Sequence, residues 1–117
     1  MAKKDVTIYH NPRCTKSRET LALLRERGIE PTVVEYLQTP PTADEVKRLI
    51  RLLAIPPHDL LRTKEPPYKE LGLSQDSSED EIARAIAAHP ILLERPIVVS
   101  GHKAALGRPP ENALKVV

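Results

Sequence analysis

The stretch VTIYHNPRCTKSRETLALLRERG, residues 6–28, decides the fold. Val6 to Tyr9 is a short β-rich run, and His10-Asn11-Pro12 ends it, because proline has no N–H to give to a ladder. From Thr15 onward Leu21 and Leu24, flanked by Ala22 and Leu23, recur at helical spacing among Arg and Glu until Gly28 supplies a stop. Thr32 to Leu37 is a second β-rich run, and a right-handed crossover through the helix sets it parallel to the first. The chain therefore opens as a βαβ unit, with Cys14 between the first strand and the helix.

Between Gln38 and Glu94 no segment reads as a strand. Thr42 followed by Glu45 is a capping box leading into Val46, Leu49, Ile50 and Leu53. His58 to Arg62 reads as a short helical turn after Pro56-Pro57, and Tyr68 to Leu71 as another. Ser78 with Glu81 caps a helix through Ile82 and Ile86 towards His89-Pro90. Pro96 to Ser100 has the unbroken apolar character of a buried strand, Gly101-His102 turns, and Lys103 to Leu106 returns as its antiparallel partner. Pro109-Pro110 opens a last short helix carrying Ala113, Leu114 and Val116, with Glu111 at its positive end. The order is β-α-β, then a helical insertion at about 38–94, then β-β-α. This is an α/β chain with a mixed four-stranded sheet, fitting the thioredoxin-like framework as one domain over 1–117.

A length of 117 residues suits one hydrophobic core, built here without Trp or Phe from Leu, Ile, Val and Ala. Lys and Arg number 18 against 16 acidic residues, and they are dispersed, which argues against a nucleic-acid surface. No apolar run approaches bilayer length, and the Lys-containing lead at residues 1–4 has no apolar signal-peptide core, so a cytoplasmic protein is expected, with a monomer as the default expectation. His10, His58, His89 and His102 show no ligand spacing and read as loop residues, so no metal and no tightly bound cofactor is assigned.

The single cysteine excludes an internal disulfide. A free cysteine is commonly a small buried hydrophobe. Cys14, however, stands among Pro12, Arg13, Thr15, Lys16, Ser17 and Arg18, where a strand has ended and the orphan N–H groups of a helix begin. That setting stabilises a thiolate, and cationic neighbours such as Arg13, Lys16, Arg18 or a protonated His10 would add to it. Cys14 is therefore read as a nucleophile. Arg62, Arg95 and Arg108 lie at prolines or element ends, and arginine forks suit tetrahedral oxyanions, although the residues alone do not set these three apart from solvated surface charges.

The strings HNPRCTKSRETL, ERPIVV and LGRPPE together resemble the glutaredoxin-linked arsenate reductase family, in particular its short arsenate-reductase-like branch, over nearly the whole chain. The resemblance implies that Cys14 attacks arsenate and that Arg62, Arg95 and Arg108 hold the resulting adduct. It further implies that glutathione enters as co-substrate, and that the partner glutaredoxin completes the reduction to arsenite. It assigns His10 to lowering the thiol pKa, Ser17 to a hydrogen bond on the sulfur, and Pro96 to a structural cis-proline. Short relatives also include glutathione-dependent reductases of mixed disulfides. The superfamily contains non-catalytic regulators that bind RNA polymerase through a CxxC switch, where this chain has CTKS.

Overall fold

The computed structural model describes residues 5–117; the lead at residues 1–4 lies outside them. The elements run β1 (Val6–His10), α1 (Thr15–Glu26), β2 (Thr32–Glu35), α2 (Ala43–Leu53), α3 (Pro66–Glu70), α4 (Glu79–Ala88), β3 (Ile97–Ser100) and β4 (Lys103–Leu106). Three 3₁₀ turns, Pro57–Leu60, Pro90–Leu92 and Pro110–Lys115, complete the order. The chain divides into two compact units, one formed by the described part of Met1–Tyr36 with Arg95–Val117 and the other by Leu37–Glu94.

The first unit carries the sheet, in strand order β2-β1-β3-β4, with β1 parallel to β2 and antiparallel to β3. This is the mixed sheet of the thioredoxin-like fold. Central β3 (IVVS) is buried at every position, whereas edge strand β2 (TVVE) is largely exposed, as edge strands tolerate. β2 stops at Glu35 rather than Leu37, because its ladder partner there is His10 and the chain turns away from the sheet at Asn11. Tyr36 is then wholly buried and Leu37 exposed.

Leu24 of α1 joins Val6, Ile8, Val98 and Ala113 in one core cluster, with Leu21, Ile29 and Val116 packed against it. Two other buried residues of α1 are polar, Ser17 and Thr20, and both are satisfied. Thr20 Oγ1 donates to Lys16 O at 2.7 Å. The final segment is 3₁₀ rather than α-helical. Pro110 and Ala113 are buried and Val116 packs on the core, so the inward positions recur every third residue, the period of that helix.

The peptide bonds Arg95–Pro96, expected as cis, and Arg108–Pro109 are both cis. Gly107 N donates to Pro96 O at 2.9 Å, and no side chain fits at Gly107: a Cβ there would sit 2.6 Å from Thr20 Oγ1 and 2.7 Å from Pro96 Cγ.

In the second unit α2 packs on α4; α2 buries Val46, Leu49 and Ile50, and α4 buries Ile82, Ala83, Ala85 and Ile86. Lys47 and Asp80 form an ion pair of 2.7 Å. An isolated antiparallel bridge joins Leu61 and Leu93, an extended contact that was not legible because single-residue ladders leave no periodicity. The capping box at Ser78 closes in both directions: Glu81 N donates to Ser78 Oγ, and Ser78 N donates to Glu81 Oε1, each at 3.1 Å. At Thr42 only the first half forms, with Glu45 N donating to Thr42 Oγ1. Ser78→Ala should therefore lower the free energy of unfolding by about 1 kcal/mol, read from urea denaturation monitored by circular dichroism. Among the described residues no helix is long and apolar enough to cross a membrane.

Candidate active site

Asn11 and Pro12 set up the turn that presents Cys14. Cys14 N donates to Asn11 O at 3.0 Å, closing a four-residue turn with Asn first and Pro second, the residues that such turns favour. Asn11 Oδ1 accepts from Arg13 N at 2.9 Å, and the Arg18 guanidinium donates to Pro12 O at 3.0 Å, so the loop is fastened from both sides. Cys14 itself is the N-cap residue of α1, with φ −92° and ψ 122°, and is buried. The sequence-based placement of Cys14 at a helix start is the observed one.

Burial pushes the Cys14 thiol pKa up, but other influences outweigh it and hold the value below the ordinary thiol value of 9.0. The backbone N–H of Ser17, the hydrogen bond and charge of Arg95, and the backbone N–H of Lys16 all favour the thiolate. The sulfur closes no formal side-chain cap bond, yet these amides face it as they would face the oxygen of a capping serine. Arg108 Nη2 lies 3.9 Å from the sulfur, and Arg108 Nε donates to Arg95 O at 2.8 Å. Asn112 Nδ2, which sequence reading passed over, donates to Arg108 O at 2.9 Å. Arg95 and Arg108 thus converge on Cys14 through backbone and side-chain contacts alike.

His10 stands in a strand and not in a loop, and Ser17 meets the sulfur through its backbone. His10 is the last residue of β1, not a loop residue, and it is buried. Its Nδ1 lies 2.7 Å from Ser17 Oγ, which also accepts from Asn11 N at 3.0 Å. The Ser17 hydroxyl is thereby committed to His10 and Asn11, and it is the Ser17 backbone N–H that serves the sulfur. Burial holds the His10 pKa below its ordinary value; nearby Glu35 opposes this, and Arg25 and Arg18 reinforce it. A neutral His10 supplies no positive charge to Cys14. The cation that lowers the Cys14 pKa is Arg95, far along the chain from it.

Arg62 belongs to the second unit, where its guanidinium pairs with Glu65 and Glu94 at 3.4 and 3.3 Å. Among the described residues no group of three or more His, Cys, Asp or Glu is arranged to hold a metal ion.

Alkylation of Cys14 by iodoacetamide should accelerate with rising pH through a midpoint below the ordinary thiol value, and Arg95→Gln should move that midpoint upward by removing a hydrogen bond and a charge. A midpoint unmoved by Arg95→Gln would show that the helix amides alone sustain the thiolate.

The chain has close relatives of known sequence and structure. The chain is 52% identical over 116 residues to YfgD, an uncharacterised protein of Escherichia coli K12, covering 97% of this chain and 98% of that one. It is 51% identical over 110 residues to an arsenate reductase of Neisseria meningitidis, covering 92% of this chain and 94% of that enzyme. The solved structure of the arsenate reductase from Vibrio cholerae matches it with a TM-score of 0.94 at 48% identity, over 99% of this chain and 100% of that one. The ArsC family model matches residues 9–116, a span that begins inside β1 and takes in Cys14, Arg62, Arg95 and Arg108. By the family model that spans nearly all of it and by relatives at about half identity, the chain belongs to the ArsC family.

Proposed function

We propose that this protein reduces arsenate to arsenite, with Cys14 as nucleophile and glutathione and glutaredoxin as the sources of the two electrons. The observation that carries the reading is a lone thiol of lowered pKa at a helix N-terminus with two guanidinium groups turned towards it. Relatives named as arsenate reductases at about half identity over nearly their whole length support the substrate.

In the proposed cycle the Cys14 thiolate attacks arsenic(V), an As–S bond forms, and an arsenate oxygen leaves as water after taking up protons. Arg95 and Arg108 would balance the charge on the remaining oxygens, with Arg62 as the third arm that the family resemblance assigns. Glutathione then displaces a second oxygen, again as water, leaving arsenic bonded to two sulfurs. A glutaredoxin thiolate attacks the glutathione sulfur, a disulfide forms between them, and the electron pair of the broken As–S bond reduces arsenic(V) to arsenic(III). Hydrolysis of the last As–S bond releases arsenite and returns Cys14. A chain with one cysteine needs this external route, because it has no second thiol to resolve the adduct. The cycle suits a reducing cytoplasm.

The test is arsenite formation from arsenate with glutathione and glutaredoxin present. Turnover that depends on both thiols supports the proposal. Turnover of glutathione mixed disulfides without any arsenite would replace it with a thiol reductase.

A further inference from the structure

Arg108 reaches Cys14 from a stretch without regular structure, between β4, which ends at Leu106, and the 3₁₀ segment Pro110–Lys115. Its guanidinium is steered directly: Nε donates to Arg95 O at 2.8 Å, and Nη2 comes within 3.9 Å of the Cys14 sulfur. Its backbone needs a separate hold. Pro109 and Pro110 have no N–H, so the carbonyls around them find their donors further along the chain.

Asn112 supplies two of those donors. Its backbone N donates to Pro109 O and its side-chain Nδ2 to Arg108 O, both at 2.9 Å. Pro110 and Ala113, which flank it in sequence, are buried, and Ala113 lies in the core cluster with Ile8 and Leu24. Asn112 therefore rides on an anchored segment, and its two bonds pass that anchorage back to the carbonyls of Arg108 and Pro109. Without the Nδ2 bond the Arg108 peptide is freer to turn about its own backbone angles and to carry the guanidinium with it. Cys14, Arg95, Arg108 and Asn112 all belong to the first unit.

We propose that Asn112 is a positioning residue for oxyanion capture: its side-chain amide holds the Arg108 carbonyl and so fixes the backbone from which the guanidinium reaches Cys14. The inference rests on the reading above, in which Arg108 holds the oxyanion that Cys14 attacks. The effect of Asn112 passes through Arg108 and not through a contact of its own with the oxyanion. A guanidinium held in place before its ligand arrives binds at a smaller loss of conformational freedom.

The experiment measures the arsenate concentration that halves the rate of iodoacetamide alkylation of Cys14, with neither glutathione nor glutaredoxin present, in wild type, Asn112→Ala, Arg108→Ala and the double variant. Asn112→Asp, which keeps the shape of the side chain but can only accept a hydrogen bond, takes the place of Asn112→Ala if circular dichroism shows the alanine variant unfolded. The expected result is a rise of about fivefold for the Asn112 substitution alone, the worth of one hydrogen bond, and of about tenfold or more for Arg108→Ala. In the Arg108→Ala background the Asn112 substitution should add nothing further. A rise of the same size with and without Arg108, no rise in either background, or loss of folding in both Asn112 variants overturns the inference and leaves the reductase reading standing. Wild-type alkylation that arsenate does not slow, or an Arg108→Ala variant protected as well as wild type, overturns the inference together with the oxyanion role of Arg108.

Discussion

Replacing Cys14 by serine should lower arsenite formation by about 10⁴-fold or more while the protein stays folded. The oxygen nucleophile that results is not ionised near neutral pH, and no general base lies in the described contacts of Cys14 to deprotonate it. The guanidinium groups of Arg95 and Arg108 would remain, so oxyanion binding should survive the loss of chemistry. Folding should survive as well, because serine at an N-cap accepts from the helix amides and is among the favoured residues there. Arsenite production, the intact mass after incubation with arsenate, and urea denaturation together check the prediction. Wild type should gain the mass of an arsenic adduct and the variant should not. A variant that still releases arsenite would remove Cys14 from the reaction.

Gly107→Ala should be the most damaging conservative change in the first unit, at a cost of about 2 kcal/mol, or roughly 6–10 °C in Tm. The added methyl would meet Thr20 Oγ1 at 2.6 Å and Pro96 Cγ at 2.7 Å, and neither neighbour yields easily. Thr20 is tied by its hydroxyl to Lys16 O, and the Pro96 ring leads directly into buried β3. Relief must come from Gly107 itself, which would displace the next residue, Arg108, from its 3.9 Å approach to the Cys14 sulfur. Activity should therefore fall with stability. Adding Thr20→Ala removes the two threonine contacts and should recover part of the loss, a coupling of about 1 kcal/mol in a double-mutant cycle. Additive effects of the two changes would mean that the clash is not where the geometry puts it.

Much of this was legible in the chain because the signals were local. Asn11-Pro12 ends a strand, Gly28 ends a helix, Ser78 and Glu81 cap another, and each needs only a few neighbours to be read. The helix start at Cys14 was legible for the same reason. What was not legible depends on distant pairs. His10 reads as a loop residue until Glu35 is known to be its ladder partner, which places it at the end of a strand and in the interior. Ser17 has the chemistry to bond a thiolate, but folding turns its hydroxyl to His10 and Asn11 instead. Arg62 and Glu94 meet only because an isolated bridge sets their register. Gly107 carries no turn signal, and its necessity appears only once Thr20 and Pro96 are seen to close on it.

The neutral state favoured for His10 has a consequence for how the nucleophile behaves. Where a thiolate depends on an imidazolium, its partner discharges as pH climbs, and reactivity tracks two opposing titrations. Around Cys14 the stabilising groups are peptide amides and a guanidinium, none of which changes charge anywhere near neutrality. The reactivity of Cys14 should accordingly follow one ionisation, its own, falling below it and holding level above it: on the alkaline side, a nucleophile kept steady by parts of the protein that do not titrate.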